Sequence, residues 1–163
     1  MKKSVKLVFV MLTIAWMLLI FSFSHRPGPD SQHDSYEVGM MTGRVVIEDF
    51  EEWSFVDQLA FAMKVDHPIR KLAHFTEYLI LATLLVGAVD NGNRKRSLRL
   101  LIPWAVAAFY AVTDEVHQFF IPGRNCNVGD VLIDSAGAFV GVLISVLVVD
   151  AIAKKRNKII DEN

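Results

Sequence analysis

Four long apolar stretches constrain this chain more than anything else in its sequence. Residues 5–23 are apolar apart from Lys6, Thr13 and Ser22. As a helix rising about 1.5 Å per residue, such a segment spans a hydrocarbon core of roughly 30 Å. Residues 69–89 are apolar except near their start, residues 98–121 except near their end, and residues 128–149 except for Asp130, Asp134 and two serines. Helices satisfy their own backbone polar groups where no water reaches, so four spans are expected. A hydrophobic content of 53% and a mean hydropathy of +0.36 agree with that. The expected architecture is all-α, an integral membrane four-helix bundle forming one domain over residues 1–163. It has one large loop at residues 24–68, containing Pro27, Gly28, Pro29, Gly39 and Gly43, and a basic tail at residues 150–163. The first span has the basic start of a signal peptide, but its apolar run exceeds the usual h-region of about 7–15 residues and is read as retained.

Lys and Arg placement sets the expected orientation, because basic loops stay on the cytoplasmic side. Lys2, Lys3 and Lys6 precede the first span; Arg94, Lys95, Arg96 and Arg99 fill the second connection; Lys154, Lys155, Arg156 and Lys158 follow the last span. The long first loop is acidic, with Asp30, Asp34, Glu37, Glu48 and Asp49 among its carboxylates, and the third loop carries only Arg124. Both termini are therefore expected inside and both acidic or weakly charged loops outside, in a cell membrane crossed several times. A net charge of −1 gives no field for nucleic acid, and the basic tail is what the orientation rule already requires. The lone Cys126 offers neither an internal disulfide nor a paired-cysteine zinc framework.

Ionisable side chains near a span centre cost about 2.5–3.5 kcal/mol each on insertion scales, so they face protein or water and mark function. At about 100° per residue, Arg70, Lys71, His74, Glu77 and Tyr78 share one face of the second span. Tyr110, Asp114, His117 and Gln118 share one face of the third, with Glu115 at its flank. Asp130, Asp134, Gly137, Ala138, Gly141 and Ser145 line the fourth, a small-residue stripe continuing two carboxylates inward. By the charge rule the start of the second span, the end of the third and the start of the fourth lie at the same outer level, beneath Arg124. One outward-facing site is expected there.

The chemistry of that set stays open at this level. Glu77, Asp114, Glu115, Asp130 and Asp134 with His74 and His117 suit acid–base catalysis, ligation of a hard divalent metal, or proton relay. Lys71 and Arg124 suit a phosphate or carboxylate of headgroup size. The plainer reading is a packing network in which Arg70, Lys71 and Arg124 neutralise Asp114, Asp130 and Asp134. Five carboxylates and two imidazoles exceed what closing a small bundle needs, which favours a functional site. An ion-coupled or proton-coupled transporter is a further rival, opposed by the short spans and the lack of an inverted repeat, with Pro103 the one candidate interruption. A homodimer would supply the walls that four spans lack. Val46, Ile47, Phe50, Trp53, Val56, Leu59, Ala60 and Met63 have near-helical spacing, as in an interfacial helix or in plain packing.

At these positions the chain resembles the VanZ-like family, whose pattern is K-x-x-H-F-x-E-Y, then D-E-x-H-Q followed by P-G-R, then an Asp, a polar position and a Gly pair. Here these read Lys71, His74, Phe75, Glu77, Tyr78; Asp114, Glu115, His117, Gln118, Pro122, Gly123, Arg124; and Asp130, Asp134, Gly137, Gly141. Phe21 to Ser24 resembles the family's Phe-x-x-Ser ending of the first span. Asp134 departs from the Asn frequent in the family and adds a charge. The resemblance implies a multi-spanning bacterial membrane protein and an association with teicoplanin resistance in the founding member, but no reaction. The resulting expectation is an envelope protein that binds or modifies a lipid-linked or cell-wall component. His74, Glu77, Asp114, Glu115, His117 and Asp130 would be its acid, base or metal groups, and Lys71, Tyr78, Gln118, Arg124 and Asp134 its binding groups.

Overall fold

The computed structural model describes residues 3–89 and 95–161, and Lys2 and Arg94 of the orientation argument lie outside them. Among the described residues the fold is all-α, with five helices: α1 Lys3–Ser24, α2 Gly28–Val46, α3 Phe55–Val89, α4 Arg96–Phe119 and α5 Val128–Asp161. A short 3-10 turn, Phe50–Glu52, precedes α3.

Helices α1, α3 and α5 are long and apolar enough to cross a membrane. The fourth expected span, α4, has 24 residues and thus the length, but Arg96, Arg99, Asp114 and Glu115 lower its apolarity below that of the other three. Leu7, Met11, Leu18, Phe109, Leu132 and Ile144 are more than half exposed. Large side chains exposed on several helices are costly in water and ordinary against acyl chains.

α3 is the hub, packed against α1, α2, α4 and α5. Lys71 meets Asp130, while the backbones of Phe75 and Leu79 lie against Gly137 and Gly141, so α3 and α5 advance in the same direction. Phe9 lies against Gly87, and Trp16 Nε1 donates to the Glu77 carbonyl at 2.9 Å, so α1 runs against α3. α4 runs with α1, since Tyr110 Oη donates to the Met17 carbonyl at 2.7 Å and Ser24 reaches Asp114. The small residues expected on the fourth span do bring two backbones together: a Cβ at Gly137 or Gly141 would run into the Phe75 or Leu79 carbonyl. Tyr78, Leu81, Ala107, Ala111, Ala138 and Val142 fill the core beneath.

Three expectations change. The 24–68 loop is largely helical, because Pro29 suits the first turn of α2, and Ser35, Gly39 and Gly43 recur every four residues as its buried face. Gly39 sits against Ala62, and Gly43 against the Phe50 ring. No separate interfacial helix spans residues 46–63: from Phe55 onward the chain belongs to α3, which continues through Pro68 over 35 residues, roughly 50 Å. The tail is likewise helical as far as Asp161, as part of α5.

Candidate functional site

Two adjoining cavities of about 310 and 340 Å³ open where the end of α1, the middle of α3, the end of α4 and the start of α5 converge. Arg70, His74, Gln118 and Arg124 line both. Ser24, Arg26, Asp34 and Glu77 help to wall the first, and Lys71, Asp130 and Asn127 the second.

Arg124 is placed by the connection between α4 and α5. Gly123 takes φ +74°, a left-handed conformation that a residue with a Cβ adopts at a cost. The Gly28 amide donates to the Pro122 carbonyl at 2.9 Å, and a Cβ on Gly28 would collide with the Gly123 carbonyl. The loop is thereby held against the α1–α2 corner. Arg124 then donates to the carbonyls of Phe23 at 3.0 Å and Arg26 at 3.2 Å, and to Gln118 Oε1 at 3.4 Å. All three acceptors are neutral. Burial, and next the nearby charge of Arg70, draw the Arg124 pKa below its ordinary value. Among the described residues neither Arg70 nor Arg124 has a carboxylate within ion-pair distance.

The other charges divide into two layers. At the cleft wall Lys71 Nζ donates to Asp130 Oδ1 at 2.8 Å, and Arg26 pairs with Asp34. Deeper in, Asp114 Oδ2 accepts from Ser24 Oγ at 2.8 Å and Gln118 Nε2 at 3.1 Å. Glu115 Oε2 accepts the Asn127 amide at 2.8 Å. His74 Nδ1 lies 3.2 Å from Asp134 Oδ1 without the alignment of a hydrogen bond. Tyr78 is fully buried, and its hydroxyl has no hydrogen-bond partner among the described residues.

Lys71, His74, Glu77, Gln118, Arg124 and Asp130 thus share the cleft, with Asp114, Glu115 and Asp134 buried close behind it. Tyr78 points into the core, where its ring lies 6.2 Å from that of Tyr110. His117 is turned elsewhere: its Nε2 lies 3.3 Å from His25 Nδ1, and its ring lies 4.6 Å from that of Phe21. Sequence reasoning paired Lys71 with Arg124 as the anion-holding cations, whereas Lys71 is engaged by Asp130 and it is Arg70 that shares both cavities with Arg124. It also missed Ser24 and Asn127 as partners of the two buried carboxylates of α4. Ser24 was visible as the polar end of the first span; Asn127 acts through its backbone and left no signal.

A profile of the VanZ/LLP1 family matches residues 9–149, which include every residue of the cleft and of the buried layer. No curated protein matches the chain. No solved structure matches it either.

Proposed function

Since the chain belongs to the VanZ/LLP1 family, we propose that it is a VanZ-like protein of the bacterial cytoplasmic membrane whose cleft faces outward and binds the anionic headgroup of a lipid-linked envelope component. In this reading α4 completes a four-helix bundle with α1, α3 and α5, both termini are cytoplasmic, and the cleft opens at the outer rim. The single observation behind it is the pair Arg70 and Arg124, two guanidinia on a shared cleft with no carboxylate at ion-pair distance among the described residues. A planar guanidinium offers phosphate or carboxylate a two-pronged set of donors, and a partly buried one gains most from an arriving anion. His74 and Glu77, on the same wall, are the groups that would move a proton if the bound component is also modified.

The test is binding of a polyprenyl phosphate by the full chain in detergent, with a neutral lipid of equal chain length as control. Wild type should prefer the phosphate, and Arg70→Ala with Arg124→Ala should abolish the preference while helix content is retained. Equal binding of both lipids, or an unaffected double variant, would overturn the reading. Glycopeptide resistance enters only through the family; a change in teicoplanin susceptibility on deletion of the gene would support it.

A second reading, a non-enzymatic component whose polar groups only fix helix packing, is favoured by the Lys71–Asp130 pair, which joins α3 to α5. It predicts that changes at Lys71, Asp114 and Arg124 lower the melting temperature without altering lipid preference.

A further inference from the structure

We propose that His74, Glu115 and Asp134 form a binding site for a first-row divalent cation of the Mn²⁺ or Zn²⁺ kind, buried immediately behind the cleft. Each of the three offers a donor atom, and these atoms lie within 4.8 Å of one another. They come from α3, α4 and α5, so the site needs the packed fold and no loop.

Unmet bonding capacity singles this cluster out. Asp134 is 0% exposed and Glu115 1%. Both Asp134 carboxylate oxygens, Glu115 Oε1 and His74 Nδ1 are buried without a hydrogen-bond partner among the described residues. Such atoms cost about 1–3 kcal/mol each when left unsatisfied, and more when charged. Of the neighbouring carboxylates, Asp130 is paired with Lys71, and Asp114 keeps two donors on Oδ2 with only Oδ1 left over, whereas Asp134 has no hydrogen bond on either oxygen among the described residues. Neither Glu115 nor Asp134 has a Lys or Arg partner among the described residues. A divalent cation would neutralise both carboxylates at once.

The contact between His74 and Asp134 points the same way. A neutral imidazole that presents its lone pair to a carboxylate oxygen 3.2 Å away is repelled by it, and protonation of the ring or a bound cation relieves that repulsion; the pair lacks hydrogen-bond alignment, which a cation does not require. One imidazole and two carboxylates suit a first-row ion, since imidazole favours Zn²⁺ and its neighbours while carboxylate also suits Mn²⁺. At metal–ligand distances of about 2.1 Å, tetrahedral donors stand roughly 3.4 Å apart, so the three donors, now within 4.8 Å of one another, would draw together as the ion binds. The Asn127 amide already holds Glu115 Oε2, which leaves the buried, unpartnered Oε1 as the oxygen available to an ion.

The inference goes beyond the anion-binding reading and does not need it, because its test reads metal rather than lipid. The full chain, purified in detergent without chelator, is dialysed against Mn²⁺ or Zn²⁺, and bound metal is measured by elemental analysis. Stoichiometric uptake is expected, with a melting temperature that rises on metal addition and falls again with EDTA. Asp134→Asn and Glu115→Gln should each lose the ion, and His117→Ala should keep it, which rules out the exposed His25–His117 pair as the ligand. If Asp134→Asn fails to fold, Glu115→Gln and the wild-type titration still decide. Wild type without bound metal, a melting temperature indifferent to Mn²⁺ and Zn²⁺, or folded variants that retain the ion would overturn the proposal.

Discussion

Lys71 Nζ donates to Asp130 Oδ1 at 2.8 Å, tying the polar face of α3 to the first turn of α5. The two side chains are 30% and 24% exposed, between the surface regime, where ion pairs contribute little, and the buried regime, where breaking one is severe. Lys71→Ala should therefore cost about 1–2 kcal/mol in detergent. Because the removed cation strands its partner, Lys71→Ala with Asp130→Ala should cost less than the sum of the single changes. A double-mutant cycle by thermal unfolding measures this, and strict additivity would show that the pair carries no coupling.

Ser24 makes a comparable link at the end of α1. Its hydroxyl donates to Asp114 and accepts from Gln118 at 3.3 Å, and Ser24 and Asp114 are 5% and 4% exposed. Ser24→Ala removes one of two donors to a buried carboxylate oxygen, at a cost of about 1–3 kcal/mol. Against an Asp114→Asn background the same change should cost measurably less, since a neutral amide needs that donor less. A loss equal in the two backgrounds would mean that Ser24 acts by packing alone.

The glycines of α5 separate a stripe that packs from one that is merely small. An added Cβ at Gly137 or Gly141 meets the backbone carbonyl of Phe75 or Leu79, which cannot rotate away. Each Gly→Ala change should destabilise by about 1–3 kcal/mol, as overpacking does. At Gly129 the nearest obstacle is Asn127 Oδ1, 3.1 Å away, a side-chain atom held among the described residues only by the Gly129 amide at 2.9 Å, so Gly129→Ala should cost no more than that cap, about 1 kcal/mol. Melting temperatures of the three variants in one detergent rank them directly.

How far the sequence carried this structure depended on the kind of signal. Apolar runs and helical periodicity located α1, most of α3 and α5, and put Lys71 and His74 on one polar stripe and Asp130 and Asp134 on another, because those signals need only a 3.6-residue repeat. α2 was obscured because its cohesion rests on Ser35, Gly39 and Gly43, small residues that also mark loops until a partner such as Ala62 is known. The direction in which Lys71 commits its charge, and the turn of His117 toward His25, depend on which neighbours stand within about 4 Å, and periodicity does not encode that. The Asn127 amide on Glu115 is a backbone contact and is invisible in residue identities.

Orientation can be tested with the protein almost as it stands. Cys126 is the chain's single cysteine, and it is exposed in the α4–α5 loop beside Arg124. An exposed thiol reacts with a maleimide from whichever side it faces, and a charged maleimide does not cross the membrane. If the cleft faces outward, intact cells should label at Cys126, and Cys126→Ser should abolish the signal. A reporter at the opposite end of the fold comes from Arg96→Cys in the Cys126→Ser background: Arg96 begins α4 at 61% side-chain exposure and should label only after the cells are opened. The reverse pattern would turn the molecule over, moving Arg70 and Arg124 to the cytoplasmic face and removing any access to a component of the outer leaflet. The metal proposal at His74, Glu115 and Asp134 would survive that reversal, because it depends on which side chains meet rather than on which side of the membrane they face.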